Sequence, residues 1–352
     1  MGNFYIERIN KLSSFKEIRD EWEQLYQSDP NSTIFTTWTW QYGWFSKTDY
    51  EWVILGVKKK DSSSYVAFLP LTIYNRRSYG IVTNRQIVFG GKPISIYSGF
   101  LCAPDFESET LRLLAEFIQS NLKWDTLQFN WVKDLRLDIF AGAFQSSGFS
   151  VENKKSLTSL RINLPNDYQV FLREFVSKDR RWYLRSKDRF IQQNESFHIS
   201  YSSIKTIDRD INALCELWFN RWGRRNEADL QKKIMHHLFN NDLLILILLW
   251  DKEKPVSAHA FLVEPNKKTY LSYCTTYDPE YSKMSPGITI VAEGIKNAID
   301  NKYKFFDFTV GLDPYKLSFG PEQIQTKSIT IKRMNLKYKV KIIVKNLMRK
   351  FL

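Results

Sequence analysis

A layout of predicted elements occurs twice along the chain and limits the folds that it can adopt. Residues 52–73 and residues 243–263 each contain an apolar strand, a charged turn and a second apolar strand. Each pair is followed by an amphipathic helix and a further strand, at residues 107–132 and 286–311. The distance from the turn to the last strand is similar in both halves. We therefore predict an α/β (α+β) protein built from a duplicated unit, in which a mixed central sheet is flanked by helices.

The chain is long enough for two such units, and a polar stretch at residues 152–167 marks the predicted join. We assign residues 1–157 to the first half and residues 158–335 to the second, which also contains a basic helical insert and a final alternating strand. Residues 336–352 carry apolar side chains at helical spacing with lysines between them. This tail is predicted to be a basic amphipathic helix that either lies on a membrane surface or packs on the protein.

The composition narrows the choice of partners and cofactors. The formal net charge is +13, which indicates an anionic partner such as a nucleic acid, a phosphorylated ligand or a membrane surface. The three cysteines match no metal-site spacing and His236–His237 has no acidic or cysteine partner in its pattern, so we predict no metal. No run reaches the roughly 18 apolar residues of a membrane span. The cysteine usage favours a reducing, cytoplasmic setting.

The start of the helix in the second half has two interpretations. Ser285 is a suitable N-cap, Pro286 suits the first helical position, and Gly287 leaves the first turn without side-chain bulk. This pattern is typical of an ordinary capped helix. It also presents backbone N–H groups and the positive end of the helix dipole to a pyrophosphate. The residues of this predicted phosphate seat are Lys283, Ser285, Gly287, Ile288 and Thr289.

The surrounding motifs carry a resemblance to a known family. A tyrosine-containing strand precedes the Ser-Pro-Gly helix start, and the sequences "FDF", a glycine and "YKLSF" follow it. These motifs lie at Tyr273, Ser285–Gly287, Phe306–Phe308, Gly311 and Tyr315–Phe319. Residues 269–320 thereby resemble the C-terminal half of the CelD/BcsL-type acyltransferases, which belong to the GNAT superfamily and are related to the Fem-type transferases. The basic segment 177–190 and the aromatic segment 34–45 are similar to further parts of that family, so the resemblance covers most of residues 30–330.

The resemblance implies a tandem GNAT-like fold. It also implies acyl-CoA as the co-substrate, with acetyl-CoA as the leading candidate. In such proteins the pantetheine lies between two splayed strands, here beside Tyr273, and the pyrophosphate lies on the Ser-Pro-Gly helix. The usual loop carries Arg or Gln followed by Gly-x-Gly/Ala, whereas this chain has one glycine there. Fem-type relatives use aminoacyl-tRNA, so the acyl carrier stays open between acyl-CoA and tRNA. The residues expected to bind the acceptor substrate are Trp38, Trp44, Arg181, Arg185 and Asp307.

Acyl transfer to an amine requires deprotonation of the amine, stabilisation of an oxyanion and protonation of the leaving thiolate. Lys316 is the first candidate, because "YKLSFG" resembles the setting of a Fem-type lysine that stabilises the transition state. Asp313 and Tyr315 stand beside it and suit a base and an acid, although "GLDPYK" is also a good turn sequence. His259 lies on a strand next to the presumed cleft, and is either a base or a core residue.

These observations favour an N-acyltransferase that acts by direct attack of an amino sugar or similar amine in cell-surface polysaccharide or glycolipid synthesis. The first half would shape the acceptor cleft, and the tail would bring a cytoplasmic enzyme to the inner face of the membrane. Two alternatives stay open. One is a Fem-like transferase that takes its acyl group from aminoacyl-tRNA, and the other is a glycan-binding or scaffold protein without catalysis.

Overall fold

The computed structural model describes residues 3–78, 81–133, 136–146, 148–154, 156–223 and 225–334. These residues form two compact units, divided at Leu157/Thr158 and at Gln325/Thr326. Unit 1 contains the described residues before the first division and after the second, and unit 2 comprises Thr158–Gln325. The predicted amphipathic tail lies outside the described residues. Within the part of the chain that the structure describes, every helix is too short or too polar to span a bilayer.

Unit 1 begins with a strand and a short helical layer, and continues with antiparallel strands, a long helix and further strands. Its strands up to Leu157 are β1 (Phe4–Ile9), β2 (Glu51–Lys59), β3 (Tyr65–Ser78), β4 (Ile81–Phe89), β5 (Leu101–Cys102), β6 (Thr126–Val132) and β7 (Phe149–Lys154). Its helices are α1 (Leu12–Glu17), α2 (Arg19–Ser28), α3 (Trp38–Phe45), α4 (Glu107–Asn121) and α5 (Arg136–Gly142). The α4 and α5 helices pack on one face of the sheet in an aliphatic and aromatic core.

Unit 2 repeats this arrangement around a second mixed sheet. Its strands are β8 (Thr158–Asn163), β9 (Phe197–Tyr201), β10 (Leu244–Asp251), β11 (Lys254–Glu264), β12 (Thr269–Tyr277), β13 (Phe305–Val310) and β14 (Glu322–Gln325). Its helices are α6 (Tyr168–Glu174), α7 (Lys178–Gln193), α8 (Ile207–Trp222), α9 (Arg225–Phe239), α10 (Pro286–Asp300) and α11 (Pro314–Leu317). The strand order is β14-β8-β13-β12-β11-β10-β9. The apolar face of α10 packs on this sheet, as its helical spacing predicts.

The last described strand, β15 (Lys327–Arg333), differs from the predicted division of the chain. Its sequence position suggests the second half, but β15 pairs with β6 and β7 and completes the first sheet in the order β1-β2-β3-β4-β6-β15-β7. Its buried Ile329 and Ile331 alternate with polar residues. This alternation fits any sheet with one buried face, so the pattern predicts a strand without indicating which sheet it joins.

The two units share an irregularity that supports the predicted duplication. Between two successive pairs of β6 and β15, β6 contains three residues' length of chain and β15 only two, so β6 has one extra residue. The same mismatch occurs where β13 pairs with β8. At each of these bulges one residue has a positive φ, 61° at Trp131 and 66° at Thr309. A β-bulge redirects side chains and bends the strand, and here it occurs at the corresponding strand of each unit.

Candidate functional site

The parallel strands β12 and β13 of unit 2 separate along their length. They pair only over Thr269–Leu271 and Phe305–Asp307. Beyond that point β12 continues to Tyr277, paired with β11 alone among the described strands. The backbone therefore opens a gap between the carboxyl ends of the two central strands, as the family resemblance leads one to expect.

A cleft of about 490 Å³ lies at the mouth of this gap. Four segments of unit 2 form its walls: the end of α8, the end of β12, the start of α10 and the region of α11. The lining residues are Arg221, Trp222, Thr275, Tyr277, Ser282, Ser285, Gly287, Ile288, Asp313, Tyr315 and Lys316. Six of them, Ser285, Gly287, Ile288, Asp313, Tyr315 and Lys316, are residues that the sequence singles out for donor binding or catalysis. The structure thus places candidates for donor binding and candidates for catalysis in the same cleft.

The start of α10 differs in detail from an ordinary capped helix. Ser285 occupies the N-cap position but has left-handed backbone angles, and its side chain makes no capping hydrogen bond. Its carbonyl accepts the N–H of Ile288 at 3.0 Å. A Cβ atom on Gly287 would lie 3.6 Å from Cδ1 of Tyr277, an ordinary contact. Neither packing nor backbone strain requires glycine there, and its missing side chain leaves room in the cleft at the helix N-terminus.

Lys316 is held firmly in the wall of the cleft. The residue is only 6% exposed, and its Nζ donates to the Val310 carbonyl at 2.9 Å. It also forms an ion pair with Oδ2 of Asp313 at 3.0 Å, and that carboxylate is half exposed to solvent. Gly311, with a φ of 108°, lets the chain turn between β13 and these residues. The arrangement fixes a positive charge beside a carboxylate that solvent or a substrate can reach.

Tyr315 provides a protonated hydroxyl in the same cleft. Burial, and secondarily the negative charge of Asp313, raise the pKa of its phenol above the usual range. The phenol therefore keeps its proton at neutral pH and is able to donate a hydrogen bond. The cleft accordingly combines a carboxylate, a fixed ammonium and a protonated phenol on one short segment.

His259 lies beneath the cleft and is not one of its lining residues. It is fully buried, shares a hydrogen bond of 2.8 Å between Nε2 and the Ser272 hydroxyl, and stacks on Phe261 with 3.9 Å between ring centroids. Burial, and to a lesser extent the charge of Lys316, lower its pKa to about 3. This placement favours a neutral core histidine over a base that contacts substrate.

The buried state of His259 has a testable consequence for stability. In the unfolded chain this histidine takes up a proton below about pH 6.5, whereas in the folded chain it stays neutral down to about pH 3. The free energy of unfolding should therefore fall as the pH drops from about 6.5 to about 3. The expected contribution is about 1.4 kcal/mol per pH unit. His259→Gln should reduce the slope by that amount in urea unfolding between about pH 4 and about pH 6. Exposed His198→Gln serves as the control, and equal slopes for wild type and His259→Gln would contradict the assignment.

Other predicted residues of unit 2 lie away from the cleft lining. The Tyr273 hydroxyl donates to Oε1 of Gln231 at 2.7 Å. Asp307 is buried, and its Oδ1 accepts the N–H of Thr309 at 2.7 Å, which stabilises the bulge of β13. Thr289 is buried in α10, and Lys283 is exposed outside the cleft.

The predicted acceptor residues on other elements are also placed differently. Trp38 and Trp44 lie on α3 and are buried in unit 1, and the Trp38 indole N–H donates to the Phe15 carbonyl at 3.0 Å. They serve the core because a helix as apolar as α3 buries nearly all of its surface. Arg181 and Arg185 lie on α7, outside the cleft lining. Arg181 donates to the Val176 carbonyl just before that helix, and Arg185 donates to Oε1 of Gln169 on α6.

Sequence reasoning missed two cleft residues at the end of α8. Arg221 places its guanidinium 4.2 Å from the ring centroid of Tyr277, and Trp222 is 52% exposed. The helix ends at Gly223, whose left-handed backbone accommodates the turn. The signal was present in the sequence "NRWG", since a glycine after an amphipathic helix marks its end and leaves the preceding side chains at a terminus.

Comparisons with known proteins agree with this geometry. Residues 177–317, which lie within unit 2 and include the cleft, match the family model described as an acetyltransferase (GNAT) domain. No curated protein has a sequence that matches significantly. The match supports the prediction that the protein is an acyltransferase. The finer assignment to the CelD/BcsL type stays a prediction.

Solved structures share the architecture at low sequence identity. FemX superposes with a TM-score of 0.62 at 11% identity, covering 92% of this chain and 96% of that one. A tandem GNAT protein from the clavulanic acid biosynthesis pathway gives 0.56 at 9% identity, with 94% and 99% covered. L-PGS from Bacillus licheniformis gives 0.53 at 10% identity, with 93% and 96% covered. These likenesses confirm the predicted fold class of tandem GNAT-like units.

Proposed function

We propose that unit 2 transfers an acyl group from acyl-CoA to an amine by direct attack. The observation that carries this proposal is the cleft at the splayed ends of β12 and β13, where the open helix start at Gly287 meets Lys316, Asp313 and Tyr315. A glycan amine, such as an amino sugar of a cell-surface polysaccharide or glycolipid, is the proposed acceptor. We further propose that the enzyme works in the cytoplasm, with the basic tail at the membrane.

The residues of the cleft fit an acyl-CoA. Backbone at the start of α10 and the bare Gly287 suit a pyrophosphate, and β12 at Thr275 offers an edge to an extended pantetheine. The family's usual Arg or Gln is missing from the loop before α10. Arg221 reaches the same cleft from α8, and its guanidinium takes the place of that missing loop residue. When bound, acyl-CoA supplies the activated acyl group.

The catalytic roles follow from the charge and exposure of each side chain. Asp313 is half exposed and suits the base that takes the proton released as the nitrogen–carbon bond forms. An ammonium has three donors; the Val310 carbonyl and Asp313 engage two on Lys316, and the third is available for the negative charge that develops on the acyl oxygen. Tyr315 keeps its proton and suits a hydrogen-bond donor that stabilises the leaving thiolate as the carbon–sulfur bond breaks.

Calorimetric titration of the purified protein with acetyl-CoA and with CoA tests the proposal. Gly287→Glu places a carboxylate in the phosphate seat and is expected to weaken binding of both by about a hundredfold or more. The matched control is Gly142→Glu, since a side chain at Gly142 meets no atom within 4 Å. Binding by the wild type and by Gly142→Glu, but not by Gly287→Glu, is the expected result. Equal binding by all three proteins would contradict the seat.

One observation favours a second candidate, a Fem-like transferase that uses aminoacyl-tRNA. The α7 helix carries a dense set of basic residues, and its Trp182 is 67% exposed. Basic and aromatic side chains together suit a polynucleotide. Failure of the wild type to bind acetyl-CoA or CoA, together with co-purified RNA seen as a high 260/280 nm absorbance ratio, would favour this candidate.

A further inference from the structure

Unit 1 contains a second cleft, of about 710 Å³. Its lining includes none of the residues discussed above for acyl transfer. It lies on the sheet of unit 1 beside the helices α1–α3. The lining residues are Asp49, Tyr50, Glu51, Ile73, Tyr74, Asn75, Arg76, Arg77, Gln86, Val88, Lys92, Pro93, Gln128, Asn130 and Trp131. Amide and aromatic side chains are prominent among them.

The floor of this cleft is polar although it lies on internal strands. The α1–α3 helices cover part of the sheet face at β2 and β3, as the stacking of Trp22 on Phe68 at 4.5 Å illustrates. On the neighbouring internal strands β4 and β6 the amide of Gln86 donates to the side-chain carbonyl of Gln128. Oδ1 of Asn75 is buried and accepts no hydrogen bond from the described residues. The floor of the cleft therefore offers amide donors and acceptors, which suit a polar occupant.

An aromatic ring is held in the cleft at the expense of backbone strain. Trp131 has a φ of 61°, which is rare for a bulky residue, because the bulge of β6 redirects it. Its backbone N–H donates to the Ser328 hydroxyl at 3.0 Å, and the Lys92 ammonium lies 4.3 Å from its ring centroid. At the rim, Tyr50 is 46% exposed and packs edge-on against Tyr74 at 4.4 Å. The cleft therefore offers flat apolar faces next to its amides.

The charges that line the cleft nearly cancel. Asp49 opposes Arg76 and Arg77, while Glu51 pairs at 2.6 Å with Arg85, so these five groups leave a single positive charge. Lys92 directs its Nζ to backbone carbonyls, at 2.7 and 3.2 Å, and burial lowers its pKa to about 7. A strongly anionic ligand such as a nucleotide would meet little excess positive charge here.

We propose that this cleft, through its amide floor and the rings of Trp131 and Tyr50, binds a neutral saccharide. Side-chain amides hydrogen-bond to hydroxyl and acetamido groups as both donors and acceptors. Aromatic rings pack on the apolar C–H faces of a pyranose. The inference goes beyond the proposed function, because it concerns unit 1 alone and does not depend on what unit 2 transfers.

A glycan array tests the inference on the full-length protein. The array presents neutral oligosaccharides, with and without acetamido groups, beside sulfated and uronic-acid-containing ones. We expect the wild type to bind neutral members, and calorimetric titration of the best of these with Tyr50→Ala and Trp131→Gly to show binding weaker by about tenfold or more. Both variants should fold, since Tyr50 is exposed and glycine relieves the positive φ of residue 131.

Tyr5→Ala is the matched control, because Tyr5 is a similarly exposed tyrosine on β1 of the same unit. It should bind the same glycans as the wild type. Three results would overturn the inference: no binding to neutral glycans, binding to anionic glycans alone, or binding that both cleft variants retain in full. Acetyl-CoA titration of the same variants measures the donor site separately, so loss of one activity is distinguishable from loss of the other.

Discussion

Replacing Lys316 by methionine is expected to lower kcat/KM for acyl transfer by about 10²- to 10³-fold, the usual cost of removing one donor to a developing oxyanion. Methionine keeps most of the aliphatic volume of the buried side chain but removes the ammonium from the cleft. Because the donor seat at Gly287 involves other residues, the affinity for acetyl-CoA should change by less than about threefold. The loss should therefore fall on kcat rather than on donor binding.

The release of free CoA thiol from acetyl-CoA, with glucosamine as the probe amine, measures this effect. Lys254→Met is the control, since Lys254 is likewise an ion-paired lysine of unit 2, with Asp278 at 2.9 Å and Glu280 at 2.6 Å, but lies outside the cleft. It should retain the full rate. Full activity of Lys316→Met on an accepted amine would remove this lysine from the mechanism, while an equal loss in both variants would point to a general effect on the fold.

The helix start on the proposed donor side of the cleft could be predicted from the sequence because its signals are local. Pro286 fixes the first position of α10, and Gly287 stands where a side chain would enter the cleft, so three consecutive letters identify the helix start. The loop that carries Lys316 is similarly compact, as it follows β13 within a few residues. Local sequence determines such segments, because turn and cap chemistry depends on neighbouring residues.

The remaining features depend on contacts that are distant in sequence. The "KSITIKR" strand alternates correctly, yet its partners β6 and β7 lie far earlier in the chain. Trp38 and Trp44 suggest a ligand surface by composition, but the packing of α3 buries them. Arg221 reaches the cleft from a different element altogether. The unit 1 cleft was missed for the same reason, because Gln86 and Gln128 meet only when β4 and β6 pair in parallel.

The largest expected loss of stability comes from a buried ion pair in unit 1. Nη1 of Arg136 lies 2.7 Å from Oδ2 of Asp29, and the two side chains are 2% and 0% exposed. The same carboxylate accepts backbone N–H groups from Cys102 at 3.0 Å and Asn31 at 2.8 Å. It thereby joins α5 to the segment after α2 and to β5. Removing the guanidinium takes the positive partner away from a buried carboxylate, and breaking such a buried pair costs about 3–5 kcal/mol.

Arg136→Met is therefore expected to lower the urea midpoint of unit 1 strongly without changing the slope of the transition. Arg85→Met is the control, since its ion pair with Glu51, 2.6 Å long, is 30% and 50% exposed and should contribute less than about 1 kcal/mol. The double variant Asp29→Asn/Arg136→Met removes the buried negative charge as well and should recover part of the loss. A cost below about 1 kcal/mol for Arg136→Met would contradict this prediction and would mean that the backbone hydrogen bonds to Asp29 hold this part of unit 1 together without the guanidinium.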